Sequence, residues 1–91
     1  MKTLTWLHMS GCPYCRVADE VFEELKSESP AFAAVEVEAI NETFHPKKAA
    51  QFDYYYNPSF FVEGEKVFET SPGDDRETIK AGLRKALELC V

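Results

Sequence analysis

Residues 3–15 read Thr3-Leu4-Thr5-Trp6-Leu7-His8-Met9-Ser10-Gly11-Cys12-Pro13-Tyr14-Cys15, and this stretch decides the fold. Its first six residues are rich in β-formers and predict a short strand that ends before Met9. From Pro13 onward, apolar residues recur at helical spacing, and proline suits a first helical turn because its missing N–H has no partner there. We therefore predict a first helix from Pro13 to about Ser29, with a pair of cysteines at its start.

The rest of the chain continues this alternation of strands and helices. Residues 34–40 alternate apolar and acidic side chains, which predicts a strand with one wet face, at a sheet edge. Residues 46–52 predict a second helix, and Asn57-Pro58 marks a break after it. Two β-rich runs around Gly64 predict a hairpin over residues 60–68. A last helix follows Asp74 and Asp75, with Ile79, Leu83, Leu87 and Cys90 on one face.

The element order β-α-β-α-β-β-α predicts an α/β fold with a four-stranded mixed sheet and three helices. The first two strands are joined by a helix and should be parallel, whereas the closing hairpin adds antiparallel strands. A chain of 91 residues suffices for one core, so we expect one domain over residues 1–91.

Composition excludes several classes of partner. Sixteen acidic residues against ten basic ones give a net charge of −6, which opposes binding to nucleic acid or to an anionic membrane surface. The apolar runs are shorter than a membrane span needs, and the first residues do not form an export signal. We expect a monomer in the cytoplasm, with no nucleic-acid or membrane partner.

The two cysteines in Cys12-Pro13-Tyr14-Cys15 are candidates for redox chemistry. A thiol attacks a disulfide only as the thiolate, and the start of a helix stabilises an anion through unpaired N–H groups and the helix dipole. Cys12 lies at that position and is predicted to be the catalytic nucleophile. Cys15, one turn later, is placed to attack the mixed disulfide that Cys12 forms. Cys15 is therefore predicted to be the resolving thiol.

A cysteine pair at this spacing can also be half of a zinc site, which needs two further ligands. The candidates are Cys90, His8 and His45. Cys90 lies on the apolar face of the last helix and is interpreted as a core residue, and His8 is interpreted as structural. We expect no metal and no tightly bound cofactor.

The tetrapeptide Cys12-Pro13-Tyr14-Cys15 resembles that of dithiol glutaredoxins, within the thioredoxin superfamily. The resemblance covers nearly the whole chain, because length, element order and a proline opening the third strand, Pro58, agree with that family. It implies a cis Asn57–Pro58 bond facing the cysteines. It also implies that the backbone of Asn57 binds an incoming peptide or glutathione as an extra strand.

The chain departs from both branches of the superfamily. Thioredoxins carry a tryptophan before the motif and an acid on the preceding strand, where this chain has Gly11 and Trp6. This difference favours the glutaredoxin branch. Glutaredoxins usually carry a lysine, a Thr-Val and a Gly-Gly at the positions of Met9, Tyr56-Asn57 and Pro72-Gly73.

A partial glutathione groove remains, which the resemblance implies would be formed by Pro13, Tyr14, Asn57, Pro58, Lys47, Asp74 and Asp75. Each charged member has a simpler interpretation. Lys47, with its neighbour Lys48, suits a solvated helix face, and either aspartate suits a cap of the last helix. Tyr54, Tyr55 and Tyr56 are interpreted mainly as packing residues beside Pro58.

These features predict an enzyme that reduces protein disulfides or glutathione mixed disulfides. Electrons would come from glutathione as co-substrate or from a thioredoxin-type reductase. One alternative is a module that binds an iron–sulfur cluster through Cys12 and glutathione, against which Pro13 argues. Another is a redox sensor or a dedicated electron donor for one reductive enzyme, which the sequence does not separate from a general reductase.

Overall fold

The computed structural model describes residues 2–91 and places the strands of these residues in one mixed sheet. The strands are β1 Leu4–His8, β2 Val37–Asn41, β3 Ser59–Val62 and β4 Glu65–Glu69, in the spatial order β2-β1-β3-β4. β1 runs parallel to β2 and antiparallel to β3, and β3 runs antiparallel to β4. The predicted mixed sheet is confirmed, with β2 at the expected edge.

The helices are α1 Pro13–Glu28, α2 Pro30–Ala33, α3 Pro46–Ala49 and α4 Arg76–Cys90. The predicted count of three is wrong by one for the described residues, because a single-turn helix begins at Pro30. Ser29 is extended and ends α1, and proline is tolerated at the first position of a new helix. α1 and α4 have close to the predicted bounds.

Two other predicted bounds need correction. β2 begins at Val37 rather than at residue 34, because Ala34 still belongs to the turn that closes α2 and donates its N–H to the Ala31 carbonyl at 3.2 Å. α3 ends at Ala49 rather than at Phe52, whose ring packs edge-on against Phe61 with centroids 5.0 Å apart. Beyond α3 the chain continues in tighter turns, in which Gln51 and Phe52 donate to the carbonyls three residues before them.

The sheet separates two apolar clusters because alternate residues of a strand face opposite sides. Trp6 and Phe60 face α1 and α4 and belong to the main core, where their rings meet edge-on at 5.2 Å. Leu7 and Phe61 face the other side and pack with Ile40 and Ala49. The site is thus built on a sheet that is covered on both faces.

Salt bridges link the outer surfaces of α1 and α4. Lys80 lies between two carboxylates, 3.0 Å from Glu24 and 2.8 Å from Glu28, and Arg84 lies 3.0 Å from Glu28. Arg76 extends the row toward Glu20. None of the helices within residues 2–91 is long and apolar enough to cross a membrane.

Candidate active site

Cys12 is the N-cap residue of α1, as predicted. Its backbone is extended, and its sulfur accepts a hydrogen bond from the Cys15 N–H at 3.1 Å. Gly11, just before it, has a φ of 75°, a left-handed conformation that favours glycine. This turn carries the chain from the end of β1 into the helix. The sulfur of Cys12 therefore meets the positive end of the helix dipole and a direct backbone donor.

Cys15 lies one turn into α1 and is buried, with 7% of its surface exposed. Burial and the hydrogen bond with Cys12 raise the pKa of the Cys15 thiol above its ordinary value. Both cysteines are free thiols, so the structure represents the reduced dithiol. The two thiols thus have different environments. The Cys12 sulfur lies at the N-terminus of α1, whereas the raised pKa of Cys15 keeps its thiol protonated.

The segment Asn57-Pro58, just before β3, lies against the dithiol. The Asn57–Pro58 peptide bond is cis, as the resemblance implied. The Cys12 thiol donates to the Asn57 carbonyl across 3.6 Å, and Pro58 is fully buried. Residues 45 positions apart in the chain are thereby in contact at the reactive centre.

Tyr14 points toward the loop that precedes α4. Its hydroxyl accepts a hydrogen bond from the Gly73 N–H at 2.9 Å, which joins the cysteine motif to the far end of the hairpin. Pro13 is exposed beside it. The motif is therefore held from two sides, by Asn57 and by the Gly73 loop.

The two aspartates of the predicted glutathione groove have local hydrogen-bond partners. Asp75 caps α4 and accepts from the Thr78 N–H at 2.8 Å, and Asp74 accepts from the Ser71 N–H at 2.8 Å. Lys47 is exposed on α3. The simpler interpretation of both aspartates as turn and cap residues agrees with these bonds.

On the other side of the dithiol lies an open cavity of about 430 Å³. His8, Arg16 and Asp19 line it together with both cysteines. Cys90, in contrast, is buried in the main core, as predicted. Within residues 2–91, no group of three or more His, Cys, Asp or Glu side chains is arranged to hold a metal ion.

A thioredoxin from Methanocaldococcus jannaschii is 34% identical to this chain over 76 residues, which cover 84% of this chain and 85% of the relative. The chain belongs to the thioredoxin superfamily. This superfamily is one of thiol–disulfide oxidoreductases, in agreement with the dithiol at the start of α1. The glutaredoxin branch, favoured by the motif, stays a prediction.

Two solved structures share the thioredoxin fold with this superfamily member. A malarial protein superposes with a TM-score of 0.63 at 10% identity, over 96% of this chain and 98% of its own. Human ERp44 in its zinc-bound form superposes with a TM-score of 0.55 at 18% identity, over 92% of this chain and 26% of its own. At these identities the likeness shows the fold alone. No family model matches the chain.

Sequence reasoning missed Glu42, which follows the last residue of β2. Its carboxylate accepts hydrogen bonds from the Tyr54 hydroxyl at 3.0 Å and from the side-chain amide of Asn57. The available signal was a charged residue directly after the strand parallel to β1. The C-terminal ends of neighbouring parallel strands lie side by side, and Cys12 follows the C-terminal end of β1. Its partners, 12 and 15 residues away, could not be inferred from that signal.

Proposed function

We propose that this superfamily member reduces disulfide bonds of proteins through a dithiol cycle of Cys12 and Cys15. The observation that carries the proposal is the environment of the Cys12 sulfur. It caps α1, accepts the Cys15 N–H and lies against the Asn57 carbonyl. A thiolate formed there would be stabilised by the helix start and would meet a substrate next to the strand that Pro58 opens.

In the first step, the Cys12 thiolate attacks one sulfur of the substrate disulfide. A Cys12–substrate disulfide forms, the substrate S–S bond breaks, and the other substrate sulfur leaves as a thiolate that takes up a proton. An extended substrate segment would pair with the backbone of Asn57. Asn57 lies just before the first residue of β3, so such a segment would run beside the start of that strand.

In the second step, Cys15 gives up its proton and attacks the Cys12 sulfur. The Cys12–substrate bond breaks, and a Cys12–Cys15 disulfide forms as the second substrate thiol leaves. The substrate gains two electrons and two protons, which the dithiol loses. The buried, protonated state of Cys15 in the free enzyme keeps it from competing with Cys12 for the first attack.

Two observations favour protein disulfides over glutathione mixed disulfides as substrates. The carboxylates of Asp74 and Asp75 are occupied by local hydrogen bonds. Large apolar side chains are exposed in the segments that follow β1 and β2 and that precede β3, and such side chains suit contact with another protein's surface. These side chains are Met9, Phe44, Tyr55 and Tyr56. The interpretation of Tyr55 and Tyr56 as packing residues is therefore wrong.

The electron donor in this proposal is glutathione or a thioredoxin-type reductase, in the cytoplasm. Activity of the purified protein on insulin, measured with each donor system in parallel, distinguishes the two. Equilibration with glutathione buffers should give a two-electron midpoint of about −200 to −270 mV. A pair that cannot be oxidised would exclude the proposal.

Variants of the three cysteines assign the roles. Cys12→Ser should abolish reduction, because no thiolate is left to attack. Cys15→Ser should accumulate a covalent complex with insulin chains that mass spectrometry detects and dithiothreitol releases. Cys90→Ala, which changes a buried core thiol, is the matched control and should retain activity. Full activity of Cys12→Ser would contradict the mechanism.

A further inference from the structure

Glu42 is a partly buried residue directly after the last residue of β2. Its N–H donates to the His8 carbonyl at 2.8 Å, which fixes the backbone of Glu42 to the end of β1. One carboxylate oxygen accepts from both Tyr54 and Asn57. The carboxylate therefore joins the end of the parallel strand pair to the segment before β3.

Asn57 depends on this carboxylate for its side-chain orientation. The residue is 9% exposed, and its side-chain oxygen has no hydrogen-bond partner within residues 2–91. Its amide nitrogen donates to Glu42. A hydrogen bond to a charged acceptor is stronger than one between neutral groups, so this bond holds the residue in place. The Asn57 carbonyl, in turn, accepts from Cys12.

Tyr54 fixes the carboxylate from the other side. Its ring packs with the smaller core cluster, and burial together with the bond to Glu42 raises its pKa to about 12. The hydroxyl therefore stays protonated, and remains a donor, over the whole range in which disulfide exchange is measured. Glu42 is held by a permanent donor while it holds Asn57.

We propose that Glu42 is a positioning residue that orients the backbone of Asn57 for pairing with a peptide substrate. The inference rests on the proposed function, because it concerns how that dithiol centre recognises protein disulfides. Glu42 acts through Asn57 and does not contact the sulfur atoms. Its effect should therefore depend on whether the substrate has a peptide backbone.

Two variants of Glu42 separate hydrogen bonding from packing. Glu42→Gln keeps an oxygen that can accept from Tyr54 and Asn57, whereas Glu42→Met keeps the length of the side chain and removes the acceptor. Each is assayed on a disulfide-linked peptide and on 2-hydroxyethyl disulfide, which has no peptide backbone. Thermal unfolding of both variants verifies that they are folded at the assay temperature.

We expect Glu42→Met to lower kcat/KM for the peptide by about tenfold through a higher KM, as loss of a bond to a charged group implies. Glu42→Gln should stay within about threefold of the wild type. Both variants should match the wild type on 2-hydroxyethyl disulfide. Tyr54→Phe, which removes one of the two donors, should raise the KM for the peptide by a smaller factor and provides a second test should Glu42→Met not fold.

Three results would overturn the inference. The first is wild-type KM for the peptide in both Glu42→Met and Tyr54→Phe. The second is an equal loss in Glu42→Gln and Glu42→Met, which would mean that the carboxylate matters for its charge alone. The third is an equal loss on both substrates, which would mean that Glu42 acts on the dithiol itself. Inactivity of the wild type on the disulfide-linked peptide would instead refute the proposed function.

Discussion

Gly82 lies in the middle of α4 under the ring of Phe68, and we expect its replacement by alanine to destabilise the protein. A Cβ at this position would lie 2.3 Å from Cδ1 and 2.4 Å from Cγ of that ring. Carbon atoms in ordinary contact are about 3.5–4.0 Å apart, so the ring would have to withdraw by roughly 1 Å or more. Withdrawal is hindered because the ring stacks on Phe60 with centroids 5.8 Å apart.

Two opposite effects determine the size of the change in stability at Gly82. Alanine is favoured over glycine in a helix by about 1 kcal/mol. Forcing an extra methyl group into a packed core costs about 1–3 kcal/mol. Because three ring atoms are too close and the ring stacks on Phe60, we expect a net loss of about 1–2 kcal/mol in the free energy of unfolding. For a chain of this size, the Tm should fall by roughly 4–16 °C.

Circular dichroism during thermal and urea unfolding of the reduced protein measures this loss. Ala81→Gly, at the exposed neighbouring position, reports helix propensity without the clash. In a Phe68→Leu background, the smaller side chain should remove most of the penalty of Gly82→Ala. A Gly82→Ala protein as stable as the wild type, or an unchanged penalty in the Phe68→Leu background, would refute the reasoning.

Two further predictions concern the pH dependence of stability. Burial raises the pKa of reduced Cys15 above the ordinary value of 9.0, so its stabilising contribution is complete below pH 9 and is lost as the pH rises toward the folded-state value. The Tm of the reduced wild type should fall more steeply above pH 9 than that of Cys15→Ala, and parallel curves would contradict this. A hydrogen bond from Lys80 lowers the pKa of Glu28 below 4.5, so this contribution is present above pH 4.5 and is lost as the pH falls through the lowered value. Lys80→Met should weaken the fall of the Tm at acid pH, and 1 M salt should reduce the difference in Tm between this variant and the wild type. A difference in Tm that salt does not change would argue against an electrostatic origin.

Local rules explain the elements that the sequence predicted well. The left-handed Gly11, the N-cap Cys12 and the first-turn Pro13 are consecutive, and their conformations depend on neighbours within one helical turn. The alternation in β2 identified an edge strand because one side of that strand meets water. The predicted end of α3 was wrong because Gln51 and Phe52 donate to carbonyls three residues back, in turns tighter than an α-helix, while the Phe52 ring packs on Phe61.

By itself, the sequence determined the order of the strands and of the long helices, the position of the dithiol at a helix start and the distinct roles expected of Cys12 and Cys15. The resemblance implied that Asn57 and Pro58 face the dithiol, and only the tertiary structure decided which atoms meet there. The contacts of Asn57 with Cys12 and of Gly73 with Tyr14 join residues 45 and 59 positions apart. Such pairs form when strands and helices pack, and no periodicity or spacing in the chain specifies them. The contact of Glu42 with Asn57 is likewise decided by the tertiary structure.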